Sequence, residues 1–260
     1  MKKIIFLLFI ISLFVFTGCI PDFEEKPKDA LVEIQNRGKI TVGYIANSKP
    51  FAFKDKNNQP IGFDIDLTKQ IAKNILGKSS AVDFVETTVY DSMSTVSSGK
   101  VDFLISAMTI TPQRKLVVDF SEPYYTTTQA ILVPKNSPIS TIKDLNKKRV
   151  LVQLNSTSEQ TPKKYAPAAI TLGVKSSDTA FSELKNGLGD ALISDEVLLK
   201  GFLSDNPNYK ILPFKLTSES YAIILKNTPE TTALRIKINT ALQTMKKDGT
   251  IQKLKEKWNL

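Results

Sequence analysis

From Lys39 onward the chain alternates short apolar runs with longer runs of helical spacing, and this constrains its fold more than any other feature. Lys39 to Tyr44 reads as a strand. Gly62-Phe63-Asp64-Ile65-Asp66-Leu67 opens a helix whose apolar residues Phe63, Leu67, Ile71 and Ile75 recur every four positions. Strands at 81–85 and 101–106 flank a short helix at 92–98. A second set follows, with strands near 149–154, 170–174, 191–194 and 209–212. Its helices lie near 158–165, 178–186 and 196–204. Two helices near 229–247 and 250–258, split at Asp248-Gly249, close the sequence. Alternation of this kind predicts α/β architecture with mainly parallel sheets.

Two long extended runs, 127–133 and 221–225, bracket the middle third. A chain that leaves one lobe through the first and returns through the second has two lobes sharing a two-strand hinge. The expected division is 31–131 with 223–260 as lobe 1 and 132–222 as lobe 2. A ligand would sit between the lobes, at the C-terminal ends of strands. Ser106 to Thr109 and Ser194-Asp195 occupy such ends, one per lobe.

The stretch Ile105 to Arg114 carries the chemistry. A buried strand runs into a hydroxyl-rich turn, then Thr111 at an N-cap position, Pro112 as first helical residue and Arg114 in the first turn. A helix N-terminus favours anions, so an arginine there suits an anion shared with backbone N–H groups. The chain has four arginines, Arg37, Arg114, Arg149 and Arg235, against many scattered lysines. This scarcity sets Arg114 apart from a solubilising charge, although a surface arginine is the alternative. Asp195 pairs with it as acceptor for a ligand ammonium group, or simply caps the following helix.

The N-terminus points outside the cytoplasm. Lys2 and Lys3 precede the largely apolar stretch from Ile4 to Phe16, which is short for a membrane span and suits a signal peptide over 1–18. Cys19, the only cysteine, follows Thr17-Gly18 and cannot form an internal disulfide. Small residues before a lone cysteine resemble a lipobox, with Cys19 as the lipidated residue; Phe16 departs from the usual aliphatic residue. Residues 19–30 read as a flexible tether. The formal charge of +9 falls to +7 once Lys2 and Lys3 are removed. No basic block interleaves with aromatics, which argues against nucleic-acid binding. The absence of histidine excludes Ser-His and Cys-His catalysis and disfavours a zinc site.

Several segments in this order and spacing resemble one family. They are Gly62 to Leu67, Thr109 to Arg114, Asp119-Phe120-Ser121-Glu122-Pro123-Tyr124-Tyr125, Gly189 to Asp195, and Asp248-Gly249-Thr250 before Trp258. The chain from Lys39 to Leu260 is similar to bacterial solute-binding family 3, the binding proteins of amino-acid ABC transporters. The resemblance implies a two-lobed, type II periplasmic-binding-protein-like fold that bends at a hinge. It implies that Arg114 clamps the α-carboxylate of a free amino acid. Thr109 adds hydroxyl and N–H, Ala107 a backbone group, and Ser156 and Thr157 N–H donors; Asp195 takes the α-ammonium. No cofactor, metal or catalytic residue is implied. The implied partner is an ABC permease in the inner membrane, served by a monomer lipid-anchored in the periplasm or at the cell surface.

Departures from the family bear on the ligand. Ser48 and Val89 stand where aromatics are frequent, and Ile45 where binders of cationic amino acids carry an acid. Asp195 with 198–202 and Asn206-Pro207 resembles acidic-amino-acid binders, yet no further arginine is evident near Ser92 or Met93. Glutamine or another polar, uncharged amino acid is the expected ligand, with an acidic one as alternative. Tyr44, Asn47 and Phe51 are expected at its side-chain end, Phe51 equally suiting the lobe core. Asp64 and Asp66 read as helix-dipole acids and Trp258 as a packing anchor. A cyclohexadienyl dehydratase on the same fold and a ligand-sensing lipoprotein are the rival readings.

Overall fold

The computed structural model describes residues 28–260; the signal peptide, Cys19 and most of the tether expected from the sequence lie outside these residues. Two five-stranded sheets organise the chain. The first runs, in spatial order, Val82–Glu86, Ile40–Tyr44, Phe103–Leu104, Ile224–Lys226 and Val118–Phe120. The second runs Ile170–Val174, Arg149–Gln153, Ala191–Asp195, Gln129–Pro134 and Tyr209–Ile211. In each sheet the first two pairings are parallel and the last two antiparallel. The fourth strand of each sheet follows a crossing from the other half, which is why it enters in the opposite sense.

The crossing itself is a short antiparallel ribbon, Tyr125–Thr127 against Glu219–Tyr221. The expected boundary at 131/132 therefore falls inside a strand of the second sheet, and the extended run 127–133 splits between ribbon and sheet. The run 221–225 breaks likewise at Ala222-Ile223, because Tyr221 pairs in the ribbon and Ile224 in the first sheet.

Periodicity explains why these elements form. Phe63, Leu67 and Ile71 of the helix Phe63–Leu76 are fully buried, and Gly77 ends the helix in the left-handed conformation. Gly62 begins it at φ +131°, where a Cβ would lie 2.1 Å from the Phe51 carbonyl oxygen; only glycine permits that approach. In Gln129–Pro134, Ile131 and Val133 enter one core while Ala130 and Leu132 enter another, so both faces of the second sheet are covered. The break at Asp248-Gly249 appears as expected, with Gly249 at φ +79°. Trp258 packs edge-on against Phe53, its indole N–H donating to Asp66 at 2.9 Å, with Lys257 on the same carboxylate at 2.6 Å. Asp66 thus ties the last helix to the lobe rather than merely serving a helix dipole.

Candidate functional site

A cavity of about 620 Å³ lies between the two sheets. Asn47, Ala107, Thr109 and Arg114 line it from the first lobe, and Ser156, Thr157 and Asp195 from the second. Seven of the nine residues expected from the sequence thus share one cleft. Phe51 does not reach it. Phe51 is fully buried in the first lobe, its ring 5.1 Å from Tyr125, 5.3 Å from Tyr221 and 5.8 Å from Phe63. The tight turn Ser48 to Ala52 folds this aromatic inward, where its apolar area leaves water. Tyr44 is also corrected, since it packs against Phe84 off the cleft wall.

Arg114 sits in the one-turn helix Pro112–Lys115, whose N-cap Thr111 accepts the Arg114 N–H at 3.2 Å. Its guanidinium donates to the Thr109 carbonyl at 2.8 Å and, across the cleft, to the Asn155 carbonyl at 3.1 Å. Desolvation draws its pKa down, opposed by the Glu219 and Asp195 carboxylates. The segment beneath is fixed by the returning strand: Ile110 N–H donates to Ser220, and Ala222 N–H to Met108.

Asp195 stands at the N-cap position of Glu196–Leu203, but its side chain makes no capping bond. It accepts instead from the Tyr221 hydroxyl. Burial pushes its carboxyl from 3.8 up to about 7, with the Glu219 charge adding and the Tyr221 bond and Arg114 opposing.

Sequence reasoning missed four contributors. Gln129 is fully buried and donates to Thr157 Oγ1 at 2.9 Å and to Glu219 at 3.2 Å, linking the second-lobe turn to the ribbon. Lys175 lines the cleft from the end of Ile170–Val174. Glu86 also lines it, already paired with Lys54. Asp64, read from the sequence as a helix-dipole acid, is wholly buried beneath Ala107. Ala107 offers its N–H not to the cleft but to Asp64, leaving its carbonyl as the backbone group a ligand could meet. The register of a strand end with a distant loop produces each of these, and no local pattern marks it.

The bacterial extracellular solute-binding protein family 3 model matches residues 40–260. The chain belongs to this family. Among its relatives, the ABC transporter glutamine-binding protein GlnH of Bacillus subtilis is 38% identical over 237 residues, 90% of this chain and 86% of the relative. An ancestral arginine-binding protein bound to glutamine is 43% identical, with a TM-score of 0.79 over 85% of this chain and 98% of that one. An ancestral amino acid-binding protein, described as a precursor of cyclohexadienyl dehydratase, is 40% identical with a TM-score of 0.81, covering 88% and 98%. The family and these relatives are solute-binding proteins rather than enzymes, and the two-lobed type II architecture is theirs as well.

Proposed function

We propose that this family member is the amino-acid-binding component of an ABC importer, with glutamine as its ligand. One observation carries this reading. Arg114 and Asp195, a cation and an acceptor from opposite lobes, line a single cavity. A guanidinium fork matches an α-carboxylate in two parallel bonds, and Asp195 suits the ammonium. Thr109, Ser156 and Thr157 then complete the carboxylate end, and Asn47 faces the side chain. Uptake draws the lobes together because the ligand touches both, giving it a differential affinity for the closed form.

The wall supports a neutral side chain. Ile45 supplies no acid for a cationic one, Glu86 is satisfied by Lys54, and Asp91 accepts from the Thr88 hydroxyl. Lys175 supports the second reading, an acidic ligand. A thermal-shift screen against the common amino acids decides between them. Ligand at a hundred times its Kd adds about 2.7 kcal/mol of stability. L-glutamine is expected to give the largest shift, L-glutamate the largest if the acidic reading holds. No shift with any amino acid, or turnover of prephenate, would overturn the proposal.

Binding is expected to release a proton. Below pH 7 Asp195 is largely protonated, and an ammonium favours its charged form. Affinity should therefore rise about tenfold per pH unit between pH 5 and 7 and level off above 8. Calorimetry in two buffers of different ionisation heat checks this, and a flat profile without proton release counts against it.

Outside the described residues, Cys19 is proposed as a lipid anchor holding a monomer near its inner-membrane permease. Incorporation of labelled lipid should disappear in Cys19→Ser. Among the described residues no helix is long and apolar enough to cross a membrane.

A further inference from the structure

Ala107 lines the cleft at φ +49°, a left-handed conformation that costs a non-glycine residue free energy. Something must hold it there. Directly beneath lies Asp64, in the first turn of Phe63–Leu76 and completely buried. Its Oδ2 accepts the Ala107 N–H at 3.0 Å, and the Tyr124 hydroxyl oxygen accepts the same N–H at 3.2 Å. Among the described residues its Oδ1 has no hydrogen-bond partner. A buried carboxyl left half satisfied is costly, and a sheet-and-helix core does not require one.

The turn it holds determines two groups of the cleft. Ser106 Oγ, immediately before, is buried on the cleft wall without a partner among the described residues. The Thr109 carbonyl, two residues after, accepts the Arg114 guanidinium. From Met108 onward the segment is fastened by Ser220 and Ala222, so Ala107 is its one end not held by the returning strand.

We infer that Asp64 is the positioning residue of this end of the cleft: it holds Ala107 left-handed and so aims Ser106 and the Thr109–Arg114 pair at the ligand. The inference rests on the amino-acid-binding reading and deepens it.

The test uses Asp64→Ala and Asp64→Asn, each alone and combined with Ala107→Gly. L-glutamine is the titrated probe, and amide exchange at residue 107 is read without ligand. Glycine enters the left-handed region without the Cβ penalty, so it should remove most of the need for Asp64. Asp64→Ala is expected to weaken L-glutamine binding about thirtyfold, but only about threefold beside Ala107→Gly. Exchange of the 107 amide should quicken at least about tenfold in Asp64→Ala, while Asp64→Asn, keeping an oxygen acceptor, stays close to wild type. A general loss of core packing would instead weaken binding equally in both backgrounds, and that result overturns the inference. Should Asp64→Ala not fold, the unmutated protein and Tyr124→Phe still decide: an Ala107 amide exchanging as fast as an open loop in either overturns it, and slow exchange in both, with Asp64 then the remaining acceptor, supports it. Failure of the wild type to bind any amino acid would remove the functional reading alone, because the exchange arm needs no ligand.

Discussion

Arg114→Leu is expected to weaken amino-acid binding by about 3–5 kcal/mol, the cost of leaving one buried partner of a charge pair alone. That is roughly a hundred- to a few thousand-fold in Kd. The guanidinium is desolvated in the cleft, and its donors to Thr109 and Asn155 fix its plane. No water would replace it around a carboxylate enclosed by the closing lobes. Arg114→Lys retains the charge but loses the planar fork, and about 1.5–3 kcal/mol of affinity should go with it. Calorimetry of both variants checks the order. A leucine variant binding within threefold of wild type would remove Arg114 from the site.

Asp195→Asn should move binding and stability in opposite directions. Without a negative acceptor for the ammonium, affinity falls by about 1.5–3 kcal/mol or more. Stability of the ligand-free protein rises, for a reason that lies in its protonation. The folded carboxyl titrates at about 7 and its ordinary value is 3.8. Between those values the folded chain holds a proton that the unfolded chain has released. Stability therefore declines as pH rises through that window and stays reduced above it. The asparagine variant never ionises, so at pH 8 it should exceed wild type by roughly 2–4 kcal/mol, converging near pH 4. Asp64, also buried and pushed up to about 7, has the same sign, so the variant's profile is flatter rather than level. Denaturant titrations at pH 4, 6 and 8 measure the difference; a variant less stable than wild type at pH 8 contradicts it.

What the sequence disclosed and what it hid follow from the range of each interaction. Thr111, Pro112 and Arg114 are a local arrangement, and their spacing alone placed a cap, a first helical residue and an arginine in one turn. The four-residue recurrence of Phe63, Leu67, Ile71 and Ile75 likewise identified a helix and its buried stripe. Strand ends are legible as cleft positions, and Thr109 and Asp195 line its wall. Phe51 suits either wall or core from the sequence, and only the backward turn at Ser48 to Ala52 decides for the core. The helix dipole accounts for a first-turn acid such as Asp64 without any tertiary partner; its partner is a loop more than forty positions away. Gln129 reaches Thr157 and Glu219, and Lys175 the cleft, through sheet register across the second lobe, which no window along the chain contains.

The ribbon of Tyr125–Thr127 with Glu219–Tyr221 places the entry and exit of an inserted segment side by side. Antiparallel neighbours of that kind can be joined by a two-residue turn. Everything from 128 to 218 is then a removable cassette, and the remaining stretches already share one sheet and one apolar interior. Exchanging that cassette leaves the base its own sheet but also cuts ties beyond the ribbon, among them Arg114 to Asn155, Tyr221 to Asp195 and Val197 in the lower core, so recombination between relatives that keep these contacts could fit a new upper jaw to an old base.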